Sequence, residues 1–218
     1  MDFRLRRQKM VERLSASGIQ DPSVLHAFLE IPRHLFVEEA LMEKAYGTHS
    51  LPIGFGQTIS QPEIVARMSE MVQIRPEERV LEVGTGSGYQ AAILARLARE
   101  VLTVERIPQL ARRAQKVLEF LDLGNVTVRV CDGSLGLGKG EIFDAILVAA
   151  AAPVIPEPLL GHLADGGRMA VPVGGGREQQ LYRIVRQGGE YIREDRGPCS
   201  FVKLVGRSRW ANFPEERA

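Results

Sequence analysis

The stretch Val80-Leu81-Glu82-Val83-Gly84-Thr85-Gly86-Ser87-Gly88-Tyr89-Gln90 constrains this chain more than any other. Its first residues have the apolar, β-branched character of a buried strand. Three glycines then turn the chain. Beyond them Ala91, Ala92, Ile93, Leu94, Ala95 and Leu97 supply the broad apolar face of a helix. A strand that feeds a glycine turn and then a helix opens a ligand-binding α/β unit, because glycine lets backbone approach a ligand at the helix N-terminus.

Spacing and charge narrow the ligand. The glycines follow G-x-G-x-G at positions 84, 86 and 88. A dinucleotide fingerprint, G-x-G-x-x-G, needs glycine where bulky Tyr89 stands, which argues against a nicotinamide oxidoreductase. Glu82 sits just ahead of the first glycine, where a carboxylate repels a pyrophosphate and favours a cationic ligand with hydroxyls. S-adenosylmethionine, with its sulfonium, amino group and ribose, has that chemistry.

The residues that follow extend the unit. Val101 to Val104 reads as a second strand ending in Glu105, about 20 residues beyond the motif acid, the separation at which a carboxylate accepts ribose hydroxyls. An ion pair with Arg106 is the alternative role. A helix from Pro108 to Leu121 precedes a third strand, Val126 to Val130, and then Cys131-Asp132-Gly133. Asp132 has the chemistry to accept an adenine amino group and equally that of a turn aspartate. Phe143 to Ala149 has the composition of a fully buried parallel strand. A helix from Pro156 to Leu163 closing at Gly166-Gly167, a strand from Arg168 to Val173 and a loop at Gly174-Gly175-Gly176 are predicted next. A hairpin turning at Gln187-Gly188-Gly189-Glu190 and a last strand from Phe201 to Val205 complete the core. Strands alternating with helices predict a doubly wound, mostly parallel α/β sheet.

Ahead of the core, residues 2–16 read as a charged helix lying on the domain, and Asp21-Pro22 starts a second helix. A short helix spans Leu35 to Met42. Residues 45–61 lack helical periodicity yet carry Tyr46, Leu51, Ile53, Phe55 and Ile59, the mark of a packed functional loop. Ser60 and Glu63 have the spacing of a capping box for the helix that follows, with Pro62 in its first turn. At 218 residues, one domain over 1–206 is expected. Within it, 1–75 form a helical and loop region on the substrate side and 76–206 the cofactor-binding core. Residues 207–218 form a polar, loosely held tail.

Composition excludes several classes. A net charge of +1 gives no global field for nucleic acid or membrane. Two cysteines make neither a disulfide framework nor a metal cluster, and no histidine, cysteine and acid group has metal spacing. There is no G-x-S-x-G nucleophile elbow, and no apolar stretch follows the basic N-terminus as in a signal peptide. A cytoplasmic monomer that binds no metal, nucleic acid or membrane is expected.

Several segments together resemble the protein-L-isoaspartate O-methyltransferases, which methylate isoaspartyl residues in aged proteins. They are Ile31-Pro32-Arg33-His34-Leu35-Phe36-Val37, Leu51-Pro52-Ile53-Gly54-Phe55-Gly56-Gln57-Thr58-Ile59-Ser60-Gln61-Pro62, the glycine motif, Val104-Glu105-Arg106-Ile107 and Asp132-Gly133. The resemblance covers roughly residues 5–205 and implies the class I methyltransferase fold, Rossmann-like, with S-adenosylmethionine as methyl donor. The candidate cofactor-binding set is then Glu82, Gly84, Thr85, Gly86, Gly88, Glu105, Arg106, Asp132 and Gly133. It also implies that Thr58, Ile59 and Ser60 lie beside the methyl-accepting carboxylate, with Ser60 as the catalytic candidate and isoaspartyl proteins and peptides as partners. Read without the resemblance, Ser60 is a helix N-cap. His34 and His49 are structural or surface residues, since transfer to a carboxylate needs no proton shuttle. The chain departs from the family pattern at Thr48, near Leu137 and at Cys199-Ser200-Phe201-Val202-Lys203-Leu204, departures that bear on peptide contacts.

Overall fold

A computed structural model describes residues 2–175 and 178–206. The expected polar tail at 207–218 and Gly176 of the glycine loop lie outside the described residues. Helix α1 (Phe3–Ala16) and α2 (Pro22–Glu30) come first, with Asp21 capping α2 as its sequence requires, its carboxylate accepting Ser23 N–H at 2.8 Å. Two 3₁₀ turns, Arg33–Phe36 and Glu39–Lys44, stand where one short helix was expected. The segment read as an irregular loop contains a hairpin, β1 (Leu51–Gly54) and β2 (Gln57–Ile59). Its two-residue turn, Phe55-Gly56, has φ of 55° and 69°, the left-handed pair that matches the twist of antiparallel strands. Helix α3 (Pro62–Met71) leads into the core.

The core runs β3 (Arg79–Val83), α4 (Tyr89–Ala95), β4 (Glu100–Glu105), α5 (Pro108–Phe120), β5 (Val126–Val130) and β6 (Phe143–Val148). It continues with α6 (Glu157–Leu160), β7 (Leu163–Gly175), β8 (Glu178–Gln187) and β9 (Glu190–Cys199). Seven strands form one sheet in the order β5-β4-β3-β6-β7-β8-β9, parallel from β5 to β7 and antiparallel from β7 to β9. This is the doubly wound sheet with a terminal hairpin that the sequence predicts. Strands β3, β4 and β6 are buried on both faces, so alternate residues enter two cores. Val80, Val101 and Ala145 pack beneath α1 to α5, while Leu81, Leu102 and Ile146 pack on the other side against Phe143, Leu159 and Leu163.

Other expectations fail: Gly174 and Gly175, read as a loop, end β7. The helix predicted over Pro156 to Leu163 is only the four-residue α6, and the strand that follows starts at Leu163 and runs through Gly166-Gly167. Gly166 has φ of 75° beside an irregularity in the β6–β7 register, so the glycines accommodate a bulge rather than end a helix. Phe201 to Val205 is not a sheet strand. It makes an isolated bridge from Lys203 to Ala151, with Leu204 N–H donating to Ala151 O at 2.7 Å and Ala151 N–H to Val202 O at 2.8 Å, while the Gln179 side chain exchanges hydrogen bonds with the Phe201 backbone. Among the described residues no helix is long and apolar enough to cross a membrane.

Candidate active site

Chain order reverses at β3: β4 and β5 lie on one side of it and β6 on the other. The connections leaving the carboxyl ends of the paired strands β3 and β6 therefore run off in opposite directions, and the crevice between them is where open α/β sheets bind ligands. A cavity opens at that point. Its walls are the glycine loop, Glu105 to Ile107, Cys131 to Ser134, Ala149-Ala150, Gln57 to Ser60 and Phe201 to Val205. The structure thus brings the candidate site residues together around one cavity, Thr58, Ile59, Ser60 and Arg106 included, except Gly88, which closes the glycine loop against Ala114 of α5.

The loop has the shape its glycines permit. Gly84, Gly86 and Gly88 have φ of 101°, 53° and 88°, a region costly for L side chains. Gly84 and Thr85 donate N–H bonds to Val104 O at 2.9 and 3.1 Å, fixing the loop to β4. Glu105, at the end of β4, accepts Gly86 N–H at 2.9 Å through one oxygen and Ile107 N–H at 2.9 Å through the other. Each oxygen keeps a lone pair for a ligand hydroxyl. Asp132 accepts from Ser134 N–H at 3.0 Å and Ser134 hydroxyl at 2.7 Å, so its turn role is real and its carboxylate also lines the cavity. Gly133 must be glycine: a Cβ there would lie 2.7 Å from Val104 Cγ2 and 2.8 Å from Val83 Cγ1.

Glu82 is wholly buried in β3. Parallel register sets it beside Thr103, whose hydroxyl donates to Glu82 Oε2 at 2.5 Å, and Thr85 Oγ1 lies 2.6 Å from Thr103 Oγ1. Oε1 is enclosed and has no hydrogen-bond partner among the described residues. Burial pushes the carboxyl up to about 8, against the pull of the Thr103 bond, with nearby Glu105 adding to the rise. The sequence suggested a standing negative charge. Instead burial keeps the group mostly protonated at pH 7.

Ser60 lies two residues ahead of α3 and does not cap it. Pro62 takes the first helical position, Gln61 becomes the N-cap, and no side chain caps the end. The expected capping box is absent, and the Ser60 hydroxyl makes no hydrogen bond among the described residues. It is free to donate into the cavity that Thr58 and Ile59 also line. His34 stacks on Phe3 at 4.0 Å between ring centroids and bonds the Tyr46 hydroxyl at 2.7 Å, away from the cavity, as a structural residue does. His49 is exposed and also stands outside it. Among the described residues no group of three or more His, Cys, Asp or Glu could hold a metal ion.

Sequence reasoning missed part of the lining. Phe201 to Val205 reaches the cavity only because the chain returns from β9 to the mouth of the sheet. Of the departing positions, Lys203 is in that wall, whereas Leu137 donates its N–H to His162 Nε2 at 2.8 Å behind it. Arg33, buried beneath Ser60, was also missed as a site residue. Its signal was an arginine within Ile31 to Val37, a segment that otherwise reads as packing.

Residues 5–209 match the family described as protein-L-isoaspartate(D-aspartate) O-methyltransferase (PCMT). The chain belongs to this family. Among curated PCMT relatives, protein-L-isoaspartate O-methyltransferase 2 of Geotalea uraniireducens is 53% identical over 207 residues, covering 94% of this chain and 95% of that protein. The Geobacter metallireducens protein-L-isoaspartate O-methyltransferase is 49% identical and covers 96% and 98%. A solved protein-L-isoaspartate O-methyltransferase superposes with a TM-score of 0.84 at 28% identity, covering 93% of this chain and 66% of that one. A Plasmodium falciparum PCMT structure, in complex with S-adenosyl-L-homocysteine, gives 0.79 at 25% identity, with 91% and 98% covered. The PCMT fold, a class I methyltransferase sheet, is therefore the fold of this chain.

Proposed function

We propose that this chain transfers a methyl group from S-adenosyl-L-methionine to the free carboxylate of L-isoaspartyl residues in damaged proteins and peptides, initiating repair through a succinimide. The observation that carries the reading is the meeting, in one cavity, of the glycine loop and an unengaged serine hydroxyl at the start of a helix. Homology to the curated methyltransferases over nearly the whole chain supports it.

The residues fit the donor. Glu105 has lone pairs for ribose hydroxyls, Asp132 for an adenine amino group, and Glu82 Oε1 lacks a partner that a cationic ligand would supply. Gly84, Thr85, Gly86, Gly88, Arg106 and Gly133 shape the rest of that site. When bound, S-adenosylmethionine supplies a sulfonium methyl group, and the reaction leaves a neutral methyl ester and a neutral thioether.

The acceptor carboxylate, with a pKa of about 4, is ionised at neutral pH and needs no general base. The chain's task is to orient that carboxylate and strip it of water. Ser60 donates its hydroxyl to one oxygen, and the positive end of α3, which begins two residues later, favours the same anion. Thr58 and Ile59 fix the peptide beside them. These donors hold the acceptor loosely enough that its reactive oxygen stays nucleophilic. Residues 1–206 act as one catalytic unit, a cytoplasmic monomer that needs neither nucleic acid nor membrane.

The test is a pair of peptides identical except for one aspartyl or isoaspartyl linkage, with released S-adenosylhomocysteine as the readout. Turnover of the isoaspartyl member alone supports the reading. Equal inactivity on both, with methylation of an RNA or a small metabolite, replaces it with a different methyltransferase.

A further inference from the structure

Arg33 is fully buried, yet no carboxylate pairs with it among the described residues. Burying a lone guanidinium is expensive, and an apolar side chain would fill the same space at lower cost. Its hydrogen bonds show what the charge is used for. Nε donates to Ala45 O at 2.7 Å and Nη2 to Ser60 O at 2.6 Å. The guanidinium carbon lies 4.7 Å from the centroid of the Tyr89 ring, which Phe28 and Phe36 hold edge-on at 5.9 and 5.4 Å. Tyr89 is the first residue of α4, directly after Gly88 of the glycine loop.

One planar fork thus grips both ends of the excursion from Ala45 to Ser60, which contains the β1–β2 hairpin, and lays that grip on the residue that anchors the glycine loop. We infer that Arg33 is a positioning residue that holds the Ser60 carbonyl, and with it the acceptor segment Thr58-Ile59-Ser60, in register with the glycine loop. The inference rests on the proposed function for what the segment accepts. The clamp itself is a matter of geometry. Arginine suits it because its rigid fork presents several donors in one plane while its face stacks on an aromatic ring. Lysine keeps the charge but carries its three donors on one tetrahedral nitrogen, which has no planar face to lie on Tyr89 and no second nitrogen to reach the other carbonyl.

The test compares wild type with Arg33→Lys, Arg33→Gln and each of these combined with Ser60→Ala. Peptide KM and kcat, the affinity and stoichiometry of S-adenosylhomocysteine by calorimetry, and hydrogen exchange at residues 57–61 are measured together. A misplacement of order 1 Å at a reacting group costs roughly 10²-fold, so kcat/KM for the isoaspartyl peptide should fall about 10-fold to 100-fold in Arg33→Lys. Peptide KM should rise, S-adenosylhomocysteine affinity should stay within about twofold, and exchange at 57–61 should quicken. In the Ser60→Ala background the same change should cost much less, since both act through one group. If kcat falls only with the fraction of chains that bind S-adenosylhomocysteine, at unchanged peptide KM and additive with Ser60→Ala, Arg33 is packing alone and the inference is wrong. If wild type methylates no isoaspartyl peptide, the functional reading fails, while the exchange comparison still decides the clamp. Arg33→Gln, which retains one donor nitrogen, gives the exchange readout should the lysine variant not fold.

Discussion

Replacing Glu82 by glutamine gives the sharpest test of the site's electrostatics. In the folded chain the carboxyl stays protonated up to about 8, whereas the unperturbed value is 4.5. Between these values the folded state binds more protons than the unfolded state, so stability must fall as pH rises from about 4.5 to about 8 and level off above. At 1.36 kcal/mol per pH unit, the whole window corresponds to about 5 kcal/mol lost through this one group. Glutamine mimics the protonated acid and cannot titrate. Its own fit adds a constant offset, so the informative quantity is the pH dependence of the difference between the two proteins. For a chain of this size about 1 kcal/mol moves Tm by roughly 2–4 °C. Melting wild type and Glu82→Gln by circular dichroism from pH 5 to pH 9 should therefore show the variant gaining on the order of 10 °C relative to wild type, all of it below about pH 8. Parallel melting curves across that range would refute the buried, protonated carboxyl. The same group predicts that S-adenosylmethionine binding at pH 7 releases most of one proton in wild type and none in the variant. Calorimetry in two buffers of different ionisation enthalpy reads that proton directly.

Three further substitutions follow from the geometry. Ser60→Ala should lower turnover on isoaspartyl peptide by at least about tenfold while shifting stability by less than about 0.5 kcal/mol, because the hydroxyl caps nothing; a stability loss with unchanged kcat would make it structural. Glu105→Ala removes the acceptor for Gly86 N–H and Ile107 N–H and should weaken S-adenosylhomocysteine by roughly tenfold or more; equal affinity by calorimetry contradicts the ribose assignment. Gly133→Ala forces a methyl group against Val104 and Val83 and should cost about 1–3 kcal/mol in chemical denaturation; a neutral result would mean that β3 and β4 can part there.

What the sequence made legible was local. Gly84 to Gly88, Glu105 and Asp132 belong to one strand-turn-helix unit and the ends of its next two strands, so pattern and spacing were enough to bring them together. The hairpin at Leu51 to Ile59 was hidden because its strands are only four and three residues long and Pro52 interrupts the first. Capping at Ser60 was misjudged because Pro62 bars the residue before it, Gln61, from helical backbone (ψ 146°), which shifts the helix start by one residue against the S-x-x-E spacing. Gly166-Gly167 resembled a helix stop, yet a Cβ at Gly167 would lie 2.8 Å from Ala164 O, so the pair serves close packing in an extended segment. Arg33 was passed over because arginine is ordinarily a surface residue, although it stands in the otherwise packed segment Ile31 to Val37. Only the fold reveals that Ala45 and Ser60 present their carbonyls to it.

A crystal structure with S-adenosylhomocysteine and an isoaspartyl peptide bound together examines the whole account in one experiment. The adenosyl group should lie among Gly84, Glu105 and Asp132, with the peptide's free carboxylate within hydrogen-bond reach of the Ser60 hydroxyl and turned toward the sulfur. An adenosyl group seated elsewhere, or a carboxylate that approaches the sulfur without touching Thr58 to Ser60, would contradict it.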